Sequence, residues 1–218
     1  MDLAELRKAV EHGEIDTVLL ALTDMQGRLQ GKRFHAQHFL GAIAEHGAEA
    51  CNYLLAVDVD MATVDGYAMA SWDRGYGDFE MKPDLDTLRP VPWQDGTAMA
   101  LADLAWADGS DVSASPRQIL RRQLARLAER GWTANTGTEL EFQIFKTPYE
   151  EAWNSGYRDL EPANLYNVDY SLLGTARVEP LLRRIRNAMF ATGLLVEDSK
   201  GECNLGQHEI NFRYQDAL

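Results

Sequence analysis

Gly137-Thr138-Glu139-Leu140-Glu141-Phe142-Gln143-Ile144-Phe145 decides how the rest of the chain is read. Apart from its two glutamates the run reads as a buried strand. Side chains alternate across a strand, so Glu139 and Glu141 share one face while Leu140 and Phe142 point to the other. Two adjacent carboxylates destabilise each other unless something positive lies between them. A divalent cation is the simplest such partner. An exposed strand face that happens to carry two glutamates is the alternative.

A second acidic cluster lies in Val196-Glu197-Asp198-Ser199-Lys200-Gly201-Glu202-Cys203-Asn204-Leu205-Gly206-Gln207-His208-Glu209-Ile210-Asn211-Phe212-Arg213-Tyr214. A strand is expected over residues 194–197, then a loop, then a last strand over about 208–214. In that last strand Glu209, Asn211 and Arg213 share one face, and Ile210, Phe212 and Tyr214 the other. Gly201 and Gly206 give the loop freedom to turn, so Glu202 can fold near Glu209. Glu139, Glu141, Glu202 and Glu209 then form a candidate all-oxygen site, which suits Mg²⁺ or Mn²⁺ and not Zn²⁺. The alternative for the later pair is a solvated loop and a strand face salt-bridged by Arg213. His208 alternates onto the apolar face and reads as structural. Cys203 is a small filler whose carboxylate neighbours raise its thiol pKa and disfavour a nucleophile.

Between these clusters the pattern is mixed α and β. Residues 3–12 form an amphipathic helix closed by Gly13. A strand over 16–23, a turn at Asp24-Met25-Gln26-Gly27 and a return strand to Phe34 make a hairpin. A helix over 36–45 ends at Gly47, and the apolar run 51–57 reads as a third strand. Residues 58–96 read as a long loop with a short strand near Leu88-Arg89-Pro90-Val91; loops of that length are functional or disordered, and five aromatics there argue against disorder. A strand covers 98–106. Ser115 and Pro116 open a helix whose stripe is Leu120, Leu124 and Leu127, closed by Gly131. The acidic-pair strand runs over about 133–145, and 148–167 reads as irregular. A last helix covers 177–192 with Val178, Leu181, Leu182, Ile185 and Met189 inward.

The chain has 218 residues and a formal net charge of -13, which argues against a nucleic-acid backbone as partner. ATP remains compatible, because metal ions bridge its phosphates to acidic residues. Two cysteines, Cys51 and Cys203, imply no disulfide framework and fit a reducing cytoplasm. The N-terminus lacks the regions of a signal peptide, and no apolar run is long enough to predict a membrane span.

Gly137 to Phe142 resembles the G-x-E-x-E-F strand of the glutamine synthetase family, and Glu202 to Ile210 resembles that family's E-x(5 to 6)-GQxE segment. Two motifs in the right order are far more specific than either alone. Thr23–Gly27 and Gly31–Arg33 look like the family's N-terminal strand pair. Asp65-Gly66, with Trp72 seven residues after the aspartate, resembles the loop that reaches a neighbouring subunit. The resemblance implies an α+β fold: an N-terminal β-grasp domain over residues 14–105, and over 112–218 the first part of a catalytic domain, an antiparallel sheet with flanking helices. It implies that Glu141, Glu202 and Glu209 bind a first metal and Glu139 a second, of two or more Mg²⁺ or Mn²⁺ ions per site. Glu197 matches a nucleotide-contacting position, Tyr166 a tyrosine near the site, and Asp65 the aspartate that binds and deprotonates ammonium.

The activity implied is an ATP-dependent carbon–nitrogen ligase of nitrogen metabolism and glutamine biosynthesis. Glutamate is activated as γ-glutamyl phosphate, and ammonium, a small amine or a polyamine displaces phosphate. The family's D-G-S-S is here Asp65-Gly66-Tyr67-Ala68, which favours an amine larger than ammonium. Asn204-Leu205-Gly206 replaces the commoner Ala-Pro-Gly, a neutral change. A cytoplasmic, ring-shaped, dodecamer-like homo-oligomer is expected by resemblance. The family's catalytic domain runs on for roughly as many residues again, so these residues are expected to be its N-terminal half and inactive alone. A non-catalytic or regulatory family member is the rival reading.

Overall fold

The computed structural model describes residues 1–69 and 75–218. The chain forms two compact units, Met1–Ala134 with Leu218, and Asn135–Ala217.

The first unit is a five-stranded mixed sheet in the order β2-β1-β5-β4-β3. Its strands are β1 Thr17–Thr23, β2 Leu29–His35, β3 Ala48–Cys51, β4 Asp78–Pro90 and β5 Thr97–Ala105. β1 runs parallel to β5, from Thr17 opposite Thr97 to Ala21 opposite Leu101, and the other pairings are antiparallel. The apolar run of β1 buries Val18, Leu20 and Leu22 against Phe39, Phe79, Met81 and Leu104. Onto this core packs the helix Leu3–Glu11 through Leu6. Asp2 and Glu5 close a reciprocal capping box that satisfies two orphan N–H groups at its start. The helical stretch after β2 runs as Ala36–His38, a π-turn Phe39–Ile43 and Ala44–His46, and Gly47 ends it at φ 73°.

Two expectations change here. The run 51–57 is not a strand: β3 stops at Cys51 and Asn52–Leu55 is a 3₁₀ turn, with Asn52 buried and donating to the Met69 carbonyl at 3.0 Å. A short apolar run does not distinguish strand from helix by periodicity. Nor is 58–96 a long loop with only a short strand near 88–91, because β4 spans Asp78–Pro90. Its prolines disguised it. β3 starts opposite Met81, so at Pro83 the strand has a paired neighbour only in β5, and a missing N–H is tolerated on the open side. The register shifts between Asp84 and Arg89, and there the Thr87 hydroxyl accepts from the Leu101 N–H at 2.8 Å.

The helix Pro116–Ala128 begins as expected but buries Arg117 and Gln118 in place of its leucine stripe; Leu120 is exposed. Arg117 donates to Asp103 at 3.0 Å and pairs with Asp84, and Arg121 lies 3.0 Å from Asp84 and 2.9 Å from Asp103. Ion pairing to β4 and β5 therefore sets the orientation of this helix.

The hairpin turn is fixed by Asp24, which is buried. It accepts from the backbone N–H groups of Gln26 and Arg28 and from the side chains of Arg28 and Gln30. Burial pushes its carboxyl up, but these hydrogen bonds outweigh that and hold it at about 2. Arg28 also donates to the carbonyls of Asp58 and Val59, at 2.9 and 2.8 Å. The hairpin thus clamps the loop that continues to Asp65.

In the second unit β7 Glu139–Gln143, β9 Gln207–Phe212 and β8 Val196–Gly201 form an antiparallel sheet in that order. β6 Asn135–Thr136 pairs with β10 Gln215–Asp216. The short helix Tyr149–Asn154 interrupts the stretch 148–167 that reads as irregular, and a second short helix, Leu172–Thr175, lies just beyond it. The long helix is Glu179–Ala191. Of that helix's expected inward stripe only Leu182 is buried. Arg186 ties the helix to β8 by donating to the Ser199 hydroxyl at 2.7 Å. β8 extends to Gly201, four residues beyond the expected strand end.

Candidate metal centre

The strand register builds the centre. β7 and β9 pair Glu141 opposite Glu209 and Glu139 opposite Asn211. β8 and β9 pair Lys200 opposite Glu209 and Asp198 opposite Asn211. Residues directly opposite each other share a face, so one face of this sheet carries two polar rows: Glu141, Glu209 and Lys200, then Glu139, Asn211 and Asp198. Glu202 comes one residue after β8. Carboxylate oxygens of Glu141, Glu202 and Glu209 all lie within 4.8 Å of one another.

Local sequence explains why the chain holds this shape. Gly206 adopts φ 73°, and a Cβ there would stand 2.6 Å from the Ile144 carbonyl. Only glycine suits that turn, which returns the chain from Glu202 to Glu209. Gly201 acts differently from its expected role as a swivel: it lies in β8 with no left-handed φ, and a Cβ would meet the Val168 carbonyl at 2.3 Å. Its smallness lets the segment 168–175 press against the strand end. On the opposite face of β9, His208 and Ile210 are buried. His208 Nε2 lies 3.3 Å from the Asn164 Oδ1 and is the donor, since that oxygen only accepts. Burial pushes the His208 pKa down, which keeps the ring neutral.

Glu209 is buried, Glu202 half-buried and Glu141 exposed. Hydrogen bonding with Glu202 and then with Lys200 holds the Glu209 carboxyl below its usual range, against the opposing effect of burial. Lys200 Nζ is 2.9 Å from Glu209 Oε2 and is paired with Glu202. Hydrogen bonds to Glu202 and Glu209 push the Lys200 pKa up. Gln207 Nε2 donates to Glu141 Oε2 at 2.5 Å. Hydrogen bonding to Asp169 pushes the Cys203 thiol up, so this cysteine is not an activated nucleophile.

These residues fit a divalent cation. Two oxygens bound to one Mg²⁺ or Mn²⁺ at about 2.1–2.4 Å lie at most about 4–5 Å apart, and the three carboxylates already meet that spacing. Their facing arrangement also already holds a cation, the Lys200 ammonium.

The other expected residues lie around or apart from this group. Glu139 shares the strand face but is exposed and outside the three-carboxylate group. Glu197 is the extra residue at the register shift of β8 and pairs with Arg213 at 3.3 Å. So Arg213 bridges to Glu197, and the cation at Glu202 and Glu209 is Lys200. Tyr166 is exposed on the loop before the helix Leu172–Thr175. Asp65 is exposed in a turn of the first unit, next to Gly66 at φ 93°. Trp72 lies outside the described residues. Sequence reasoning missed Lys200 because it ended the β8 strand at Glu197; unbroken alternation from Val196 would have put Lys200 on the face opposite the glutamates, and only the extra residue at Glu197 turns it onto theirs.

Residues 113–218 match the family model for the glutamine synthetase catalytic domain. Over these residues the chain belongs to the glutamine synthetase family and carries the fold of that catalytic domain. It is 68% identical over its whole length to the gamma-glutamylethanolamide synthetase GlnA4 of Streptomyces coelicolor, covering 47% of that protein. It is 32% identical to a glutamate–isopropylamine ligase of Pseudomonas sp, over 99% of this chain and 47% of that one. A solved GmaS/ADP complex shares the fold with a TM-score of 0.72 at 22% identity, over 97% of this chain and 44% of that one. The chain thus spans about half the length of the curated relatives it matches.

Proposed function

We propose that this chain carries the carboxylate wall of an ATP-dependent glutamate–amine ligase whose acceptor is a small primary amine such as ethanolamine. The convergence of Glu141, Glu202 and Glu209 carries the reading. The 68% identity to a protein named for γ-glutamylethanolamide synthesis supports the acceptor, as does Tyr67-Ala68 where the family has two serines.

Glu141, Glu202 and Glu209 would hold one Mg²⁺ or Mn²⁺ ion, and Glu139 would face a second. When bound, the ions offset the repulsion between the glutamate carboxylate and the ATP phosphates. The γ-carboxylate attacks the γ-phosphorus of ATP, giving γ-glutamyl phosphate and ADP; the amine nitrogen then attacks the acyl carbon and phosphate leaves. The protein's part is placement and charge neutralisation. Glu197 would contact the nucleotide, with Tyr166 near it. Asp65 of a neighbouring subunit would hold the amine as a cation and take the proton it loses before attack.

The domain reading belongs to the same proposal. Residues 14–105 form a β-grasp domain, supported by parallel β1 and β5 and by the helical stretch Ala36–His46 that lies between them in sequence; residues 112–218 begin the catalytic domain. A ring-shaped homo-oligomer in the cytoplasm completes it. No helix among the described residues is long and apolar enough to cross a membrane.

The test is ADP release by the natural-length gene product containing this chain, with glutamate, Mg²⁺ and a panel of ammonium, methylamine, isopropylamine and ethanolamine. The expected result is Mg²⁺-dependent turnover that is fastest with ethanolamine. Strong turnover with ammonium alone rejects the acceptor. No ADP release with any amine rejects the ligase reading.

A further inference from the structure

Lys200 is the cation of the carboxylate centre, and the proposed reaction gives it no role. Its position is not that of an ordinary surface lysine. Pairing opposite Glu209 in the β8–β9 ladder points its side chain onto the glutamate face. The ammonium pairs with Glu202, lies 2.9 Å from Glu209 Oε2, and lies 4.6 Å from the centroid of the Tyr170 ring. An ammonium has three donors, and two carboxylates and a π face account for all of them. The three charged side chains are 19%, 18% and 7% exposed for Lys200, Glu202 and Glu209, so solvent screens them far less than a surface pair.

We propose that Lys200 is a positioning residue: its ammonium is a resident counter-cation that keeps Glu202 and Glu209 assembled before a metal ion arrives and releases them when one binds. The inference rests on the reading that these carboxylates hold a divalent cation. Two cations cannot share the same oxygen lone pairs at close range, because each repels the other. Metal entry therefore requires the ammonium to withdraw, which four rotatable carbon–carbon bonds permit and a rigid guanidinium fork would hinder. The exposed Tyr170 ring offers a face along which the displaced ammonium can rest. Metal affinity is then net of the cost of displacing Lys200.

The test is Mn²⁺ binding by calorimetry, with thermal unfolding with and without Mn²⁺, on this chain and on Lys200→Met, Lys200→Arg and Glu209→Gln. Lys200→Met keeps the apolar stem and removes the charge. It should bind Mn²⁺ roughly tenfold more tightly, unfold at a lower temperature without metal, and regain the difference at saturating Mn²⁺. Lys200→Arg should bind no more tightly than the parent chain. A purely structural lysine would give weaker binding in Lys200→Met, so equal or weaker binding there, with Glu209-dependent binding in the parent, overturns the inference alone. Binding that survives Glu209→Gln, or no binding by either the parent or Lys200→Met, overturns the metal reading and the inference with it. Should Lys200→Met not fold, the parent chain still decides: lysine ¹⁵Nζ spectra should show an exchange-protected ammonium that is lost on adding Mg²⁺. A protected signal unchanged at saturating Mg²⁺ overturns the inference.

Discussion

In the five-stranded sheet, β5 buries Thr97, Ala98, Ala100, Ala102, Leu104 and Ala105. In the three-stranded sheet, β7 leaves Glu139, Leu140, Glu141 and Gln143 exposed. Side chains point to alternate faces in both strands; what differs is what those faces serve. The first sheet removes apolar area from water, worth roughly 25 cal/mol per Å², and its centre is a continuous cluster from Leu6 to Val112. The second aligns carboxylates that repel one another, a cost to stability accepted where a site is needed. Variants of the first sheet should therefore act on unfolding, and variants of the second on ion binding.

The largest effect on stability belongs to the core of the first sheet. Phe39 is fully buried, and Phe39→Ala should cost about 3–5 kcal/mol in denaturant unfolding. A loss below about 1 kcal/mol would place the stabilising centre elsewhere. Next is Arg117→Met, which leaves Asp84 and Asp103 sharing only Arg121, itself 39% exposed. Breaking a fully buried pair costs about 3–5 kcal/mol; with Arg121 still reaching both aspartates, about 2 kcal/mol is expected. An unchanged unfolding midpoint would mean that the helix Pro116–Ala128 does not depend on this network.

Asp24 gives a pH-dependent version of the same point. Its carboxyl is depressed from an unfolded value of 3.8 to about 2. A depressed carboxylate contributes stability that is complete above the unfolded value and is lost as pH falls through the folded one. The parent chain should exceed Asp24→Asn by about 2 kcal/mol at neutral pH. That gap should close between pH 4 and pH 2, because below both values the parent carboxyl is protonated too. Urea unfolding of both chains across this range checks it; a gap independent of pH would show that the clamp on Arg28 and Gln30 does not depend on charge.

How far the sequence anticipated each region depends on where its constraints are local. The β1–β2 hairpin and the Ser115-Pro116 helix start rest on short-range chemistry, and the structure places those elements as their residues indicate. Most of β4 was hidden because its prolines and aspartates oppose strand formation locally, and pairing with β3 over Asp78–Met81 and with β5 from Glu80 on makes it a strand. Lys200 was hidden for the same reason: β8 is held by β9 through Gly201, beyond the apolar residues that announce it. The helix stripes misled because amphipathicity reports which face is apolar, not which partner covers it; ion pairs with Asp84 and Asp103 set the helix Pro116–Ala128 instead.

The smallest expected effect on stability separates the two sheets most sharply. Glu141 is exposed on β7, opposite Glu209. In Glu141→Gln the side chain keeps its shape and still offers a carbonyl oxygen to the Gln207 amide that now donates to Glu141. Removing the charge also relieves repulsion toward Glu209. Unfolding free energy should therefore change by no more than about 0.5 kcal/mol. Mn²⁺ affinity should nonetheless fall roughly tenfold or more, because a hard cation's affinity depends on the number of charged oxygen ligands. Calorimetric Mn²⁺ titration beside urea unfolding of the same preparation measures both. If stability fell with affinity, the carboxylate face would be part of what holds the second sheet together, and the division between a sheet that stabilises and a sheet that binds would fail at Glu141.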